Sequence, residues 1–276
     1  MNYEASSMII DVWAQITTER MARAPWLAPL LRWTGRVGMP FSTTPHSTLA
    51  AMDAANVDIA LLCAWYGPEG CLISNEEVAA QIDAAPDRFR GLASADLRDP
   101  MGAVRDIRRW VDGRRFLGVR FVPWLWDLPP NDRRYYPIYA ACIELGVPFC
   151  TQIGHTGPLK RSECGRLIPY LEDVLLDFPE LVVVGGHVGF PWLDEVTTLT
   201  LKFPNFFVDT SAYALNRLPG SFVDYMKGVG MNRVMFGSNW PMIAHAKCLE
   251  RLDTLGLDQA QRDAFLFDTA RRVFKL

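Results

Sequence analysis

Short apolar, β-branched runs recur along the chain and alternate with segments whose apolar residues fall at helical spacing. The strand-like runs are MIIDVWA (8–14), VDIALLCA (57–64), RGLASAD (90–96), LGVRFV (117–122), VPFCTQI (147–153), LVVVGGH (181–187), FFVDTS (206–211) and RVMFGS (233–238). Between them lie helix-like segments at 75–86, 99–113, 135–146, 167–179, 192–204 and 218–230. Their ends carry stop and start signals. SNEEV offers Ser74 or Asn75 as an N-cap with acidic residues in the first turn, and LGVP at 145–148 sets a Gly stop before a Pro. Eight strand–helix alternations with short connections predict an α/β protein, a parallel (β/α)8 barrel spanning 1–276 as one domain. No G-x-G-x-x-G follows the first strand, which argues against a dinucleotide fold.

One segment breaks the rhythm. Residues 15–50, rich in Pro and Trp, form a long insertion after the first strand. Loops that follow strands sit at the catalytic face of such a barrel, so this one is expected to act as a lid.

Composition narrows the partners. Half of the 276 residues are apolar and 21% are charged, enough to bury a sizeable core. A formal net charge of −3 without a basic run leaves no footprint for nucleic acid. No stretch approaches the length of a membrane span, and no basic-then-apolar leader opens the chain. Six scattered cysteines with no C-x-x-C pair suit a reducing cytoplasm and read mostly as small buried hydrophobes. The expected partner is a small-molecule substrate.

In a barrel the chemistry sits at the C-terminal strand ends. Reading these off gives Asp11, Trp13 and Gln15 on the first strand, then Trp65 and Tyr66 after the second. The fourth gives Arg120, with Trp124 and Trp126 beyond it. Gln152 and His155 follow on the fifth, His187 on the sixth, and Asp209, Ser211 and Tyr213 on the seventh. Asn239 and Trp240 end the eighth, with His245 shortly after. His187 closes an apolar strand and reads either as a buried, hydrogen-bonded histidine or as a general acid or base. His155 either faces the pocket or orients its loop. Asp209 either caps a loop or takes a proton. Asp11 shares inward parity with Trp13 and Gln15 and is an acid/base candidate or a buried hydrogen-bond acceptor. Arg120 suits a carboxylate in the pocket, or an ion pair with an internal Asp. The clustered aromatics Trp13, Trp65, Tyr66, Trp124, Trp126, Tyr213 and Trp240 point to a fairly apolar pocket for an aromatic or polycyclic ligand. No serine lies in a Gly-x-Ser-x-Gly elbow.

Several segments in order, NEEVAAQIDAAPDRFRGLASADLRDP, FLGVRF, GHTGP, GGHVGFPWLDEV, NFFVDTSA, RVMFGSNWP and FDTARRVF, resemble the amidohydrolase superfamily. The similarity is to the amidohydrolase-related branch, which holds aminocarboxymuconate semialdehyde decarboxylase-like and pyrone dicarboxylate lactonase-like enzymes. It runs from about Met8 to Leu276 apart from the insertion. The resemblance implies a metal held by His-x-His on the first strand, a His on each of the fifth and sixth, and an Asp on the eighth. At those positions this chain has Trp13, Gln15, Gln152, His187 and Asn239. Amides are poor ligands and an indole is none, so no metal and no other cofactor is expected. A rearranged site built on His187, His155 and a carboxylate is the alternative.

The resulting expectation is a metal-independent enzyme acting on a small cyclic or aromatic carbonyl or carboxylate compound. His187, Asp209, Asp11 and His155 are its catalytic candidates, and Trp13, Gln15, Arg120, Trp124, Gln152, Tyr213, Asn239 and Trp240 its substrate contacts. Lactone or ester hydrolysis comes first by family resemblance. Decarboxylation, dehydration, retro-aldol cleavage or cyclisation stands beside it, and a non-catalytic binder is the reading from another class. The insertion and the habits of the resembling branch suggest a homodimer.

Overall fold

The computed structural model describes residues 8–35, 37 and 43–276. Eight parallel strands follow one another around a single sheet: β1 (Ile10–Ala14), β2 (Ile59–Cys63), β3 (Phe89–Ala93), β4 (Phe116–Phe121), β5 (Phe149–Gln152), β6 (Val183–Gly186), β7 (Phe206–Asp209) and β8 (Val234–Met235). Each falls on a run the apolar pattern marks as a strand. Those runs are nearly continuous in hydrophobicity because both faces are covered, by helices outside and by the barrel interior within. The sheet closes on itself at the β8–β1 seam. There Val12 N donates to Phe236 O at 3.0 Å, Asn239 N to Trp13 O at 2.8 Å and Gln15 N to Trp240 O at 3.0 Å. The fold is thus a (β/α)8 barrel.

The helices start and stop where their end residues dictate. The Ser74 hydroxyl accepts from Glu77 N at 3.1 Å while the Glu77 carboxylate accepts from Ser74 N at 2.8 Å, a reciprocal cap on the helix Asn75–Ala84. Asp99 caps Pro100–Trp110 through Gly102 N. Gly146 ends Tyr136–Leu145 in the left-handed region at φ 63°, a conformation an ordinary side chain disfavours.

The insertion is more ordered than a loop. It carries the helices Glu19–Ala22, Leu27–Trp33 and Pro45–Asp53; part of it, residues 36 and 38–42, lies outside the described residues. Leu27–Trp33 rests on the C-terminal end of the barrel. Leu27 packs with Met242 beyond β8, and Trp26 meets Trp65 and Trp124 beyond β2 and β4. Leu30 and Trp33 lie against Gly157 beyond β5. Among the described residues no helix is long and apolar enough to cross a membrane.

The seam is held from inside by one carboxylate. Asp11 is fully buried, and its Oδ1 accepts from Trp13 N at 3.0 Å and Ser238 N at 2.9 Å. Its Oδ2 accepts from the Ser238 hydroxyl and lies 3.0 Å from Nε2 of the buried His245, whose ring stacks on Trp240. Of the two readings of Asp11, these bonds favour the buried hydrogen-bond acceptor: both oxygens are engaged, and the group joins β1 to β8. Removing an acceptor that serves four buried donors leaves each without a partner. Asp11→Ala is expected to cost about 3–5 kcal/mol in urea-induced unfolding, and Asp11→Asn less. A loss below about 1 kcal/mol for the alanine variant would show that the seam does not depend on it.

Candidate active site

The C-terminal strand ends bring most of the polar candidates into three groups. The first surrounds His187. Ser211 Oγ lies 2.6 Å from His187 Nδ1 and also accepts the His187 backbone N–H at 3.2 Å. Asp209, on the same face of β7 two residues earlier, accepts the Ser211 N–H at 2.9 Å and is fully buried. Burial pushes the Asp209 carboxyl up to about 6, against the opposing pull of the Ser211 hydroxyl and amide and of Arg120. Burial, helped by the charge of Arg120 and by His155, pushes His187 down to about 3. The imidazole is therefore neutral at physiological pH. Where the Ser211 hydroxyl donates to Nδ1, Nε2 carries the proton.

Arg120 and Trp13 complete this group from below. The indole of Trp13 lies 4.7 Å from the His187 ring, and the guanidinium of Arg120 sits 4.1 Å above the indole. Both residues are 1% exposed. Both were expected as substrate contacts, and at this burial they meet each other and His187 in the barrel interior. Trp13 has room because Gly186 and Gly237 lack side chains beside it; a Cβ on Gly186 would overlap the six-membered ring.

The second group holds the remaining amides at β1 and β8. Gln15 Nε2 donates to Asn239 Oδ1 at 3.0 Å and to Trp240 O at 2.6 Å. Trp240 reaches the insertion, its indole N–H donating to Thr48 Oγ1 at 3.3 Å. The third group joins β4 to β5. The Trp124 indole N–H donates to Gln152 Oε1 at 2.6 Å, and Gln152 Nε2 donates to the carbonyl of His155 at 3.1 Å. The His155 ring stands edge-on to Phe190. Trp124 is buried, so its part in a pocket is to orient Gln152. Tyr213 is half-buried in the loop after β7, its phenol pushed up to about 12 by burial.

The strand ends also carry strain. His187, Val188, Ala212 and Asn239 all adopt positive φ, between 63° and 73°, without being glycine. Such conformations persist only where the surroundings over-determine them, and they gather at functional sites. By contrast, a cleft of about 290 Å³ at the N-terminal ends of β5 and β6, between Val147, Val182 and Arg272, has none of this chemistry.

Ser211 is read at the end of the seventh strand but given no role there, and Ser238 is not among the site candidates. Parity marks Ser211, two residues beyond Asp209 in VDTSAY, whereas nothing local marks Ser238 as the partner of Asp11.

The family model for amidohydrolases matches residues 10–276. The chain belongs to the amidohydrolase family. It is 26% identical over 255 residues to a gamma-resorcylate decarboxylase of Rhodococcus jostii, covering 74% of this chain and 75% of that one. It is 25% identical over 242 residues to a 2-keto-4-carboxy-3-hexenedioate hydratase of a Sphingobium strain, covering 72% and 70%. Its fold matches that of a dihydroxybenzoic acid decarboxylase from Polaromonas, solved with bound manganese and 2-nitroresorcinol. That match has a TM-score of 0.74 at 18% identity over 98% and 97% of the two chains.

The residues of this amidohydrolase do not fit a divalent metal. Of the five positions that hold one in the resembling branch, only His187 offers a strong ligand. Gln15, Gln152 and Asn239 are neutral amides engaged with protein partners, and the fifth position is an indole beside a guanidinium. Among the described residues, no three His, Cys, Asp or Glu side chains converge on a point.

Two measurements check this geometry. Gly186→Ala forces a methyl group into the Trp13 ring and is expected to destabilise the fold by about 1–3 kcal/mol; an unchanged melting curve would contradict the packing. The second concerns linkage. Asp209 is raised, so the folded state prefers it protonated; its contribution is fully present below about 4 and is lost as pH rises through about 6. His187 is lowered, so its contribution is present above 6.5 and is lost as pH falls toward 3. Asp209→Asn removes only the first. Its stability relative to the parent should rise from pH 4 to pH 8 by about 3 kcal/mol, two pH units at about 1.4 kcal/mol each. A pH-independent difference would contradict the raised Asp209.

Proposed function

We propose that the protein is a metal-independent lyase that protonates carbon in a small aromatic or unsaturated carboxylic acid as carbon dioxide leaves. The observation that carries this reading is the relay Asp209–Ser211–His187. It pairs a buried acid near neutrality with a neutral imidazole whose protonated Nε2 is its free end. The decarboxylase and hydratase relatives favour the same class.

In decarboxylation the bond from the ring to the carboxylate breaks, and its electron pair stays on the ring carbon. That carbon takes the proton of His187 Nε2, while Nδ1 takes the Ser211 hydroxyl proton. Ser211 is replenished from Asp209; after carbon dioxide departs, water protonates Nε2 and the Nδ1 proton passes back through Ser211 to Asp209, so each group ends as it began and one proton is consumed. A ring hydroxyl beside the carboxylate, as in 2,6-dihydroxybenzoate, spreads the developing charge. Gln152, Asn239 and Gln15 offer amide groups to orient such a substrate, and Trp240 and Tyr213 offer apolar walls. The helix Leu27–Trp33 acts as a lid that excludes water.

Hydrolysis ranks lower on one physical ground. An imidazole that titrates near 3 is a weak base for activating water, and its Nδ1 is already engaged by Ser211. Hydration of an unsaturated acid needs the same proton delivery to carbon and is the second reading.

The test is carbon dioxide release from a panel of hydroxybenzoates by protein treated with a chelator. Turnover is expected to survive chelation and to fall about a hundredfold or more in His187→Gln and in Ser211→Ala. Activity that disappears with the chelator and returns with manganese would overturn the metal-independent reading. Undiminished turnover in both variants would overturn the relay.

A further inference from the structure

We infer that Arg120 is the built-in cation of this site, a positioning residue whose guanidinium supplies from inside the barrel the positive charge that a divalent ion supplies where one is bound. The inference rests on the strand-end site being the reaction site, although its test reads a titration rather than turnover, so the two can fail separately.

Three observations carry it. Arg120 is 1% exposed; its Nη2 makes a long bond to Ala14 O at 3.4 Å, and its side chain meets the Cys63 thiol. Among the described residues its Nε and Nη1 have no hydrogen-bond partner, although a guanidinium cannot shed its charge inside a protein. A residue that only filled space would be apolar like its neighbours Val119 and Phe121, so a charge kept here at a desolvation cost needs an electrostatic reason.

Its location supplies the reason. The guanidinium lies over Trp13, at the position of the first metal-ligating histidine of the resembling branch, and that indole touches His187, the one ligand type retained. The titratable groups that feel Arg120 come from every side: Cys63 on β2, Cys150 on β5, His187 after β6 and Asp209 on β7.

The interior charge balance then closes. Two carboxylates, Asp11 and Asp209, share the barrel and repel one another. Asp11 has His245 beside it, whereas Asp209 has an Oδ2 without a hydrogen-bond partner and no ion pair among the described residues. Arg120 is the cation left to offset it. It does so through space, which lets Asp209 release and regain a proton instead of being locked in a salt bridge.

The experiment follows the Asp209 carboxyl by carbon-13 NMR of protein labelled at aspartate, assigned with Asp209→Asn. The parent is compared with Arg120→Lys and Arg120→Gln, each checked for native fold by circular dichroism. The Asp209 midpoint is expected to stay near the parent value in the lysine variant, and to rise by about one pH unit or more, a tenfold change in acidity, in the glutamine variant. An unmoved midpoint in folded Arg120→Gln would overturn the inference; a role in packing alone predicts that result. Should that variant not fold, the parent protein decides, through manganese added while the His187 ring signals are observed. A site already carrying its cation leaves those signals sharp at millimolar manganese. Selective broadening at near-stoichiometric manganese would overturn the inference.

Discussion

Everything at the mouth of this barrel depends on the carboxylate of Asp11. A closed ring of eight strands needs its last strand to find its first, and β8 is only two residues long. Main-chain bonds at the seam are correspondingly few. Asp11 reaches across it to both the amide and the hydroxyl of Ser238, and to His245 beyond. The residues just past Ser238 are Asn239 and Trp240, which pair with Gln15. A single buried acceptor therefore sets the register in which the amides of β1 and β8 face each other.

The same register places Trp13, and Trp13 organises what lies beneath His187. An indole is far bulkier than the imidazole of the resembling branch, so its presence demands compensation nearby. Gly186 and Gly237 provide it by having no side chains. The indole then offers a face to Arg120 and an edge region to His187. Loss of metal ligands here is not erosion of a site into an arbitrary core. The polar groups that stand in their place find partners with one another, as Gln15 does with Asn239 and Gln152 with Trp124.

The barrel and its eight strands were legible from the sequence because apolar runs and helix caps are local signals. Helix ends at Ser74, Asp99 and Gly146 fall where their side chains or their backbone freedom require. The site was legible in part. Parity along the first strand put Asp11, Trp13 and Gln15 on one inward face, and all three are buried. It did not tell depth, which depends on side-chain length and on gaps across the barrel. Arg120 and Trp13 thus read as substrate contacts although each is 1% exposed. Asp11 read as an acid or base because its partners, Ser238 and His245, lie more than 220 residues away in the chain. The helices of the insertion were missed because Pro and Trp in a long connection resemble a loop, whereas tertiary contacts to the strand-end loops stabilise them.

The opposite shifts of Asp209 and His187 have a common origin in burial, and their pairing is what makes the site chemically useful. Desolvation favours the neutral form of each, so the acid holds its proton up to about pH 6 and the imidazole lacks its second one. Two neutral groups joined through a hydroxyl can pass a proton without creating an ion pair in a dry interior. An ordinary salt bridge between them would have been stable but inert, with the proton trapped on the imidazole and the carboxylate unable to give one. With Arg120 nearby as a cation, the interior accepts Asp209 in either form, and under the proposed reaction the same cation lowers the energy of negative charge gathering on carbon.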